Sequence, residues 1–255
     1  MADDFNNAVK AISPAGVVTT IGSSVSWAYV AAVAVTPSGD VYASDFSGHK
    51  VRMIPGGAGS AVVDAYTGSG AFTPWGIAFD DSGNMFVADE SGGPIYKVAN
   101  YGSGTASVYG SVGAYPQGIA LAGNGDLYIA VYGTNNIMMI PAGGGTPVEA
   151  LAANSASPDL NRPRGVFVTA AGDIYVADTD NHRVLKYAGG AGTPTTVGSG
   201  FNQPFSVFVG QTGDVYVADA GNNLIKKVPG GTGTPEIVGG SGWANNPAGI
   251  VGVNC

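Results

Sequence analysis

The chain has one cysteine, Cys255, its last residue. No intramolecular disulfide can form, so packing and hydrogen bonds must hold the fold, and the redox compartment is not indicated. Charge is scarce: Asp, Glu, Lys and Arg make up 11% of the residues, against ~25% in an ordinary globular domain. The surface must then be built largely from Ser, Thr, Asn, Gly and exposed apolar groups. Ten basic residues face eighteen acidic ones, a net charge of −8. Nucleic acid and anionic membrane surfaces both call for clustered Lys and Arg. No basic stripe exists, so neither partner is expected. No apolar run approaches ~18 residues, which excludes a membrane-spanning helix. The opening Met-Ala-Asp-Asp-Phe lacks the basic-then-apolar pattern of a secretory leader, and the compartment stays open.

Glycine is abundant, with 42 residues, about double its usual share. The glycines fall between short apolar runs, where they mark turns. One stretch shows the unit. Val166–Val168 and Ile174–Val176 flank the turn signal Gly172-Asp173, and a third run, Val184–Tyr187, follows the polar loop Asp-Thr-Asp-Asn. Three such strands cannot bury both faces alone, so copies must stack. The copies are present as Gly39-Asp40-Val41-Tyr42, Gly83-Asn84-Met85-Phe86, Gly125-Asp126-Leu127-Tyr128, Gly172-Asp173-Ile174-Tyr175 and Gly213-Asp214-Val215-Tyr216, spaced 41 to 47 residues apart. A four-stranded propeller blade takes about that much chain.

The pattern resembles the NHL repeat, in which a Pro-x-Gly strand precedes Gly-Asp-x-Tyr-Val-x-Asp and then Asn-His/Asn-x-Val. That resemblance covers essentially the whole chain. It implies an all-β, six-bladed propeller, and 255 residues shared among six blades is 42.5 each. The whole chain, 1–255, is read as one domain.

The ends do not fall at blade boundaries. Ala2-Asp3-Asp4-Phe5-Asn6-Asn7-Ala8-Val9 aligns with Ala177-Asp178-Thr179-Asp180-Asn181-His182-Arg183-Val184, so the chain opens at the end of a second strand. Near the other end, Pro247-Ala248-Gly249-Ile250 matches Pro204-Phe205-Ser206-Val207 and supplies a first strand. Residues 1–21 and 243–255 thus share one split blade, which closes the ring and removes an exposed sheet edge. Its second strand should be short or absent. The longest insertion, around Ala150–Pro158, reads as a surface loop.

Five aspartates recur at the end of the second strand, Asp3, Asp45, Asp89, Asp178 and Asp219, with Val131 in the remaining copy. A residue repeated in nearly every copy serves the repeat, here by accepting N–H bonds from the following loop. His49 and His182, the only histidines, share one repeat position in non-adjacent blades. A zinc site needs three or four converging ligands, so both are read as structural. The histidines used by the amidating lyase and the streptogramin lyase of similar architecture are not carried over. No Gly-x-Ser-x-Gly elbow, Walker-type loop or Cys-x-x-Cys is found. An aromatic set before the proline, Phe72, Tyr115, Phe201 and Trp243 with Leu160, is read as inter-blade packing.

The residue after the repeat proline behaves differently. Around the ring it is Ala31, Trp75, Gln117, Arg164, Phe205 and Ala248. Positions that serve a repeat are uniform, and this one varies. It opens the innermost strand, so these side chains should surround one mouth of the central channel. The second-strand loops add Phe46, Glu90, Tyr132 and Thr179 on the same side. Trp75, Gln117, Arg164 and Phe205, with Glu90 and Tyr132, are the candidate ligand contacts, offering stacking faces and a fixed cation. The functional expectation is a monomeric binding scaffold for a protein, peptide or small polar ligand, without cofactor. Two alternatives stand beside it. One is a lactonase- or lyase-like enzyme using a divalent cation in the channel. The other is an excised or engineered ring with no ligand, its mouth a scattered surface.

Overall fold

The computed structural model describes residues 1–13, 15–59, 61–113, 115–151, 159–239 and 246–251. The predicted blades form in register. The chain begins with β1 (Ala2–Asp3), β2 (Ala8–Ile12) and β3 (Val18–Ile21). Five four-stranded antiparallel sheets follow in sequence order. They are β4 (Val30–Val35), β5 (Val41–Asp45), β6 (Lys50–Ile54) and β7 (Val63–Thr67); then β8 (Pro74–Phe79), β9 (Met85–Asp89), β10 (Pro94–Val98) and β11 (Ala106–Ser111). The next holds β12 (Pro116–Leu121), β13 (Leu127–Val131), β14 (Asn136–Ile140) and β15 (Val148–Glu149). The last two hold β16 (Gly165–Val168), β17 (Ile174–Asp178), β18 (Arg183–Tyr187) and β19 (Thr195–Thr196), and β20 (Pro204–Val209), β21 (Val215–Asp219), β22 (Leu224–Val228) and β23 (Glu236–Gly239). Among the described residues the only helical turns are short 3-10 segments, and no helix is long and apolar enough to cross a membrane.

The sixth sheet is the split blade. β1, β2 and β3 pair in order, and Asp3 bridges Pro247. Ala2 N donates to Gly249 O at 2.8 Å and Ala248 N to Ala2 O at 3.1 Å. The two-residue β1 is the short second strand anticipated from the missing Gly-Asp turn. Trp243 and residues 252–255, assigned to the same blade, lie outside the described residues, as does the 150–158 insertion from 152 onward.

Each second strand sits mid-blade and is covered on both faces by neighbouring blades, so β5, β9 and β17 are buried at every position. The packing forms five clusters between blades; Tyr42, Phe72, Ile77 and Val87, for example, come from neighbouring sheets. The outermost strands face solvent, leaving Val63, Val108, Val148 and Ile237 exposed.

The Pro-x-Gly motif has a steric cause. The innermost strands approach so closely that Gly118 N donates to Arg164 O of the next blade at 2.8 Å. A Cβ on Gly118 would lie 2.5 Å from that oxygen and 2.9 Å from Gly165 Cα. Across the seam, a Cβ on Gly249 would lie 2.8 Å from Ala32 Cα. Where the motif loses glycine, a hydroxyl bridges instead: Ser44 Oγ accepts from Ala32 N at 3.0 Å and donates to Trp75 O at 2.6 Å.

The strand-end aspartates are buried and structural, and they bond the loop before the blade's first strand as well as the following loop that was expected. Asp45 Oδ1 accepts Ala28 N and Tyr29 N, Asp178 Oδ1 accepts Asn161 N at 2.7 Å, and Asp219 Oδ1 accepts Asn202 N at 2.6 Å. These donors lie in the loop entering the same blade's first strand; from the following loop Asp89 accepts Ser91 N, and Asp3, Asp178 and Asp219 accept Asn6, Asn181 and Asn222 Nδ2 at 2.9, 2.9 and 2.8 Å. A buried carboxylate so bonded ties both ends of the innermost hairpin.

Both histidines are structural too. Each has a left-handed backbone, with φ 57° at His49 and 54° at His182. His49 Nδ1 lies 2.7 Å from Phe72 O, and His182 Nδ1 accepts Gln203 N at 3.0 Å, so each clasps the next blade. Asn135 and Asn223 do the same through Oδ1 to Arg162 N and Asn246 N, both at 2.8 Å. Of the aromatic set, Phe72 and Phe201 are buried between blades and Leu160 is partly so. Tyr115 does not belong with them: it is 51% exposed on the rim, because φ 62° turns it outward one residue before Pro116.

Candidate functional site

The varied position falls in a β-bulge in four blades. Register shifts between Val30 and Val33, Pro74 and Ile77, Pro116 and Ile119, and Pro204 and Ser206. Bulges re-aim side chains and recur beside sites. Arg164 lies just ahead of β16, pinned by its own N–H to Ala177 O at 3.2 Å and by Gly118 N on its carbonyl. The residues before the proline, Tyr115, Arg162, Gln203 and Asn246, all have φ between 48° and 62°. Left-handed non-glycine backbone is costly and clusters where side chains must be held in place.

The structure brings the six predicted contacts to one mouth, in unequal roles. Arg164 is the centre. Its guanidinium carbon lies 4.2 Å from the Phe205 ring centroid, 4.7 Å from Tyr132 and 5.5 Å from Trp75. Cation–π contact of this kind is worth roughly 0.5–2 kcal/mol per ring. Among the described residues no carboxylate comes within ion-pair distance of Arg164, and its Nε is buried without a hydrogen-bond partner. Trp75 is buried at 8% exposure and packs with Tyr29 and Phe46 at centroid distances of 6.0 and 5.5 Å. Gln117, 1% exposed, donates Nε2 to Glu90 Oε1 at 2.7 Å. The backbones of Glu90 and Tyr132 are fixed by N–H bonds to Thr73 O and Tyr115 O, each 3.0 Å. Burial raises the Glu90 carboxyl above its ordinary range, opposed by the Gln117 bond and the Arg164 charge.

Sequence reasoning missed Asp4, Tyr29 and Asn246. Asp4 is fully buried, and its Oδ2 accepts Asn246 Nδ2 at 2.8 Å. Burial pushes its carboxyl up to about 6, against hydrogen bonds from the Tyr29 hydroxyl and Asn246 and the pull of Arg164. Burial, with the adjacent Asp4 charge, also raises the Tyr29 hydroxyl. The signal for Asp4 was available: Ala2-Asp3-Asp4 aligns with Ala177-Asp178-Thr179, which gives Asp4 the repeat position of Glu90 and Tyr132.

Two hollows meet here. The channel, about 380 Å³, is walled by β4, β8, β12, β16 and β20 and by residues 248–251, with Ile77, Ile119, Val166 and Val207 among its apolar lining. A groove of about 470 Å³ lies on the mouth face, bounded by Tyr132, Arg162, Thr179, Gln203 and Asn223. Arg164 and Phe205 line both hollows. Among the described residues no three His, Cys, Asp or Glu are grouped so as to hold a metal ion.

A ring of six antiparallel sheets, with an aromatic-framed cation where the channel opens, defines a β-propeller. Residues 160–187 match the NHL repeat model. The chain is a six-bladed β-propeller, and one of its blades carries the NHL-repeat match. No curated protein sequence matches it. It is similar to virginiamycin B lyase from Staphylococcus aureus, crystallised in a catalytically inactive form with quinupristin, at 19% identity and TM-score 0.72 over 96% of this chain and 81% of that one. It is also similar to a streptogramin B lyase, at 18% identity and TM-score 0.69 over 96% and 80%. A chain of the nidogen/laminin complex matches at 18% identity and TM-score 0.71 over 89% and 86%. At these identities the likeness is one of fold.

Proposed function

We propose that this propeller is a single-domain, monomeric binding module that takes a protein, peptide or small polar ligand on its channel-mouth face. The observation that carries the reading is Arg164: a partly buried cation with no carboxylate partner among the described residues, framed by Phe205, Tyr132 and Trp75. A cation held this way is costly unless something completes its hydrogen bonds. A groove of drug-ligand size adjoins it. The similar nidogen/laminin chain comes from a protein–protein complex, which gives the fold a precedent for such use. The lyase-like alternative draws on fold likeness alone, and both histidines here are spent on blade junctions.

The test is a ligand-observed NMR fragment screen against the parent, an Arg164→Ala variant and an Asp81→Ala variant, the last altering an exposed residue that lines the channel. Hits should vanish with Arg164→Ala and persist with Asp81→Ala. Hits that survive loss of Arg164 would remove the mouth from the account.

A further inference from the structure

We infer that the mouth recognises a monocarboxylate borne on an apolar body, the carboxylate seating on Arg164 and the body on Phe205 and Tyr132. This rests on the mouth being the binding face, and goes on to name the chemistry that the face selects.

Arg164 differs from every other basic residue of the protein. Seven of the ten, Lys50, Arg52, Arg162, Arg183, Lys186, Lys226 and Lys227, stand in ion pairs. Lys10 donates to Thr20 Oγ1 at 2.7 Å, and Lys97 lies over the Phe86 and Tyr109 rings on a third strand. Arg164 alone lines both hollows of the mouth. The way it is held decides what it can bind. Aromatic rings cover the faces of a guanidinium, whereas its N–H bonds lie in the plane, so a stacked arginine keeps its donor fork for an in-plane acceptor. Backbone bonds on both sides of Arg164 and rings 4.2 and 4.7 Å from its guanidinium carbon restrain the side chain before a ligand arrives. Pre-organisation lowers the entropic cost of binding.

The surroundings favour a single negative charge. Of the charged residues lining the groove, Arg162 is offset by Asp180 at 3.3 Å, which leaves Arg164 as the groove's cation without an ion-pair contact among the described residues. Asp4 and Glu90 lie within electrostatic reach of Arg164. Against a dianion such as phosphate, these carboxylates would repel the second charge. The apolar requirement follows from Phe205, Tyr132 and the 63% exposed Phe5 along the same groove. A carboxylate beside an apolar group occurs both in free organic acids and at the C-terminus of a polypeptide.

The experiment is calorimetric titration of the full chain with hippurate and its primary amide, with N-acetyl-Gly-Phe and its C-terminal amide, and with inorganic phosphate. Each acid should bind at least about ten-fold more tightly than its amide, the scale of a charge-assisted hydrogen bond. Phosphate should bind no more tightly than hippurate. Arg164→Ala should abolish the acid–amide difference, and Arg164→Lys, which keeps the charge and loses the fork, should shrink it. Melting curves of both variants check that they fold. Tighter binding of hippurate assigns a small acid, and tighter binding of N-acetyl-Gly-Phe assigns a chain terminus. Equal affinity of acid and amide, preference for phosphate, or a difference that survives in Arg164→Ala overturns the inference. If no probe binds while other fragments still map to the mouth, the carboxylate assignment falls and the mouth reading stands. Fragments that miss the mouth sink both.

Discussion

Substituting Gly118 by alanine tests the geometry from which the mouth is built. The new methyl would sit 2.5 Å from Arg164 O, 2.9 Å from Gly165 Cα and 3.2 Å from Val166 N, all backbone atoms of the adjoining blade. None can swing aside as a flexible side chain would, so the two innermost strands must part by several tenths of an ångström. Overpacking of this kind costs ~1–3 kcal/mol, and weakening the 2.8 Å Gly118–Arg164 backbone bond adds about 1 kcal/mol. The combined loss, roughly 2–4 kcal/mol, should lower Tm by about 5–15 °C in a chain of this length. Thermal and denaturant unfolding followed by circular dichroism would read it. Gly123→Ala is the matched control, because its Cβ meets nothing within 4 Å and its φ is not positive; it should be neutral or gain up to ~1 kcal/mol. A Gly118→Ala protein melting within a degree of the parent would refute the close approach, and with it the placement of Arg164.

Two further outcomes follow from particular side chains. Asp4 holds its proton up to about pH 6 in the folded chain, against 3.8 for an ordinary aspartate, so its contribution to stability declines as pH rises from about 4 to about 6. Asp4→Asn should therefore be more stable than the parent at pH 7, on the order of 1–2 kcal/mol, and should lose that part of the slope; parallel stability curves would count against a buried, charged Asp4. His182→Asn should stay within about 0.5 kcal/mol, since asparagine fills the same junction at Asn135 and Asn223. His182→Val should cost roughly 2 kcal/mol by stranding Gln203 N and forcing a β-branched residue to φ 54°. Equal melting of the two variants would show that the clasp carries no weight.

Most of the fold was legible because the repeat writes it five times. The Gly-Asp turns set the hairpins, and aligning Asp3 with Asp178 and Pro247 with Pro204 located the seam now seen as the Asp3–Pro247 bridge. Variation at one position within a uniform repeat pointed to Trp75, Gln117, Arg164 and Phe205. What the sequence did not convey was orientation. Nothing in residues 72–76 says that Trp75 would be buried against Tyr29 and Phe46. Nor does Gln117 announce that it holds Glu90 rather than facing solvent. These depend on bulge geometry and on contacts between blades far apart in sequence. Tyr115 was misplaced because it stands one residue before its proline, the place of Arg162, Gln203 and Asn246, whereas Phe72 and Phe201 stand two and three residues before theirs. Asp4 escaped notice because it belongs to a blade whose other half lies more than two hundred residues away.

The most direct test is the NMR signal of the Arg164 Nε–H. Buried, and stacked on Phe205 and Tyr132, it should be shifted upfield by the ring currents, exchange slowly with water near neutral pH, and move back toward its free position in a Phe205→Ala variant. A sharp signal at the free-arginine position, exchanging quickly and indifferent to Phe205, would mean that the cation is loose in solvent and the mouth has no fixed centre.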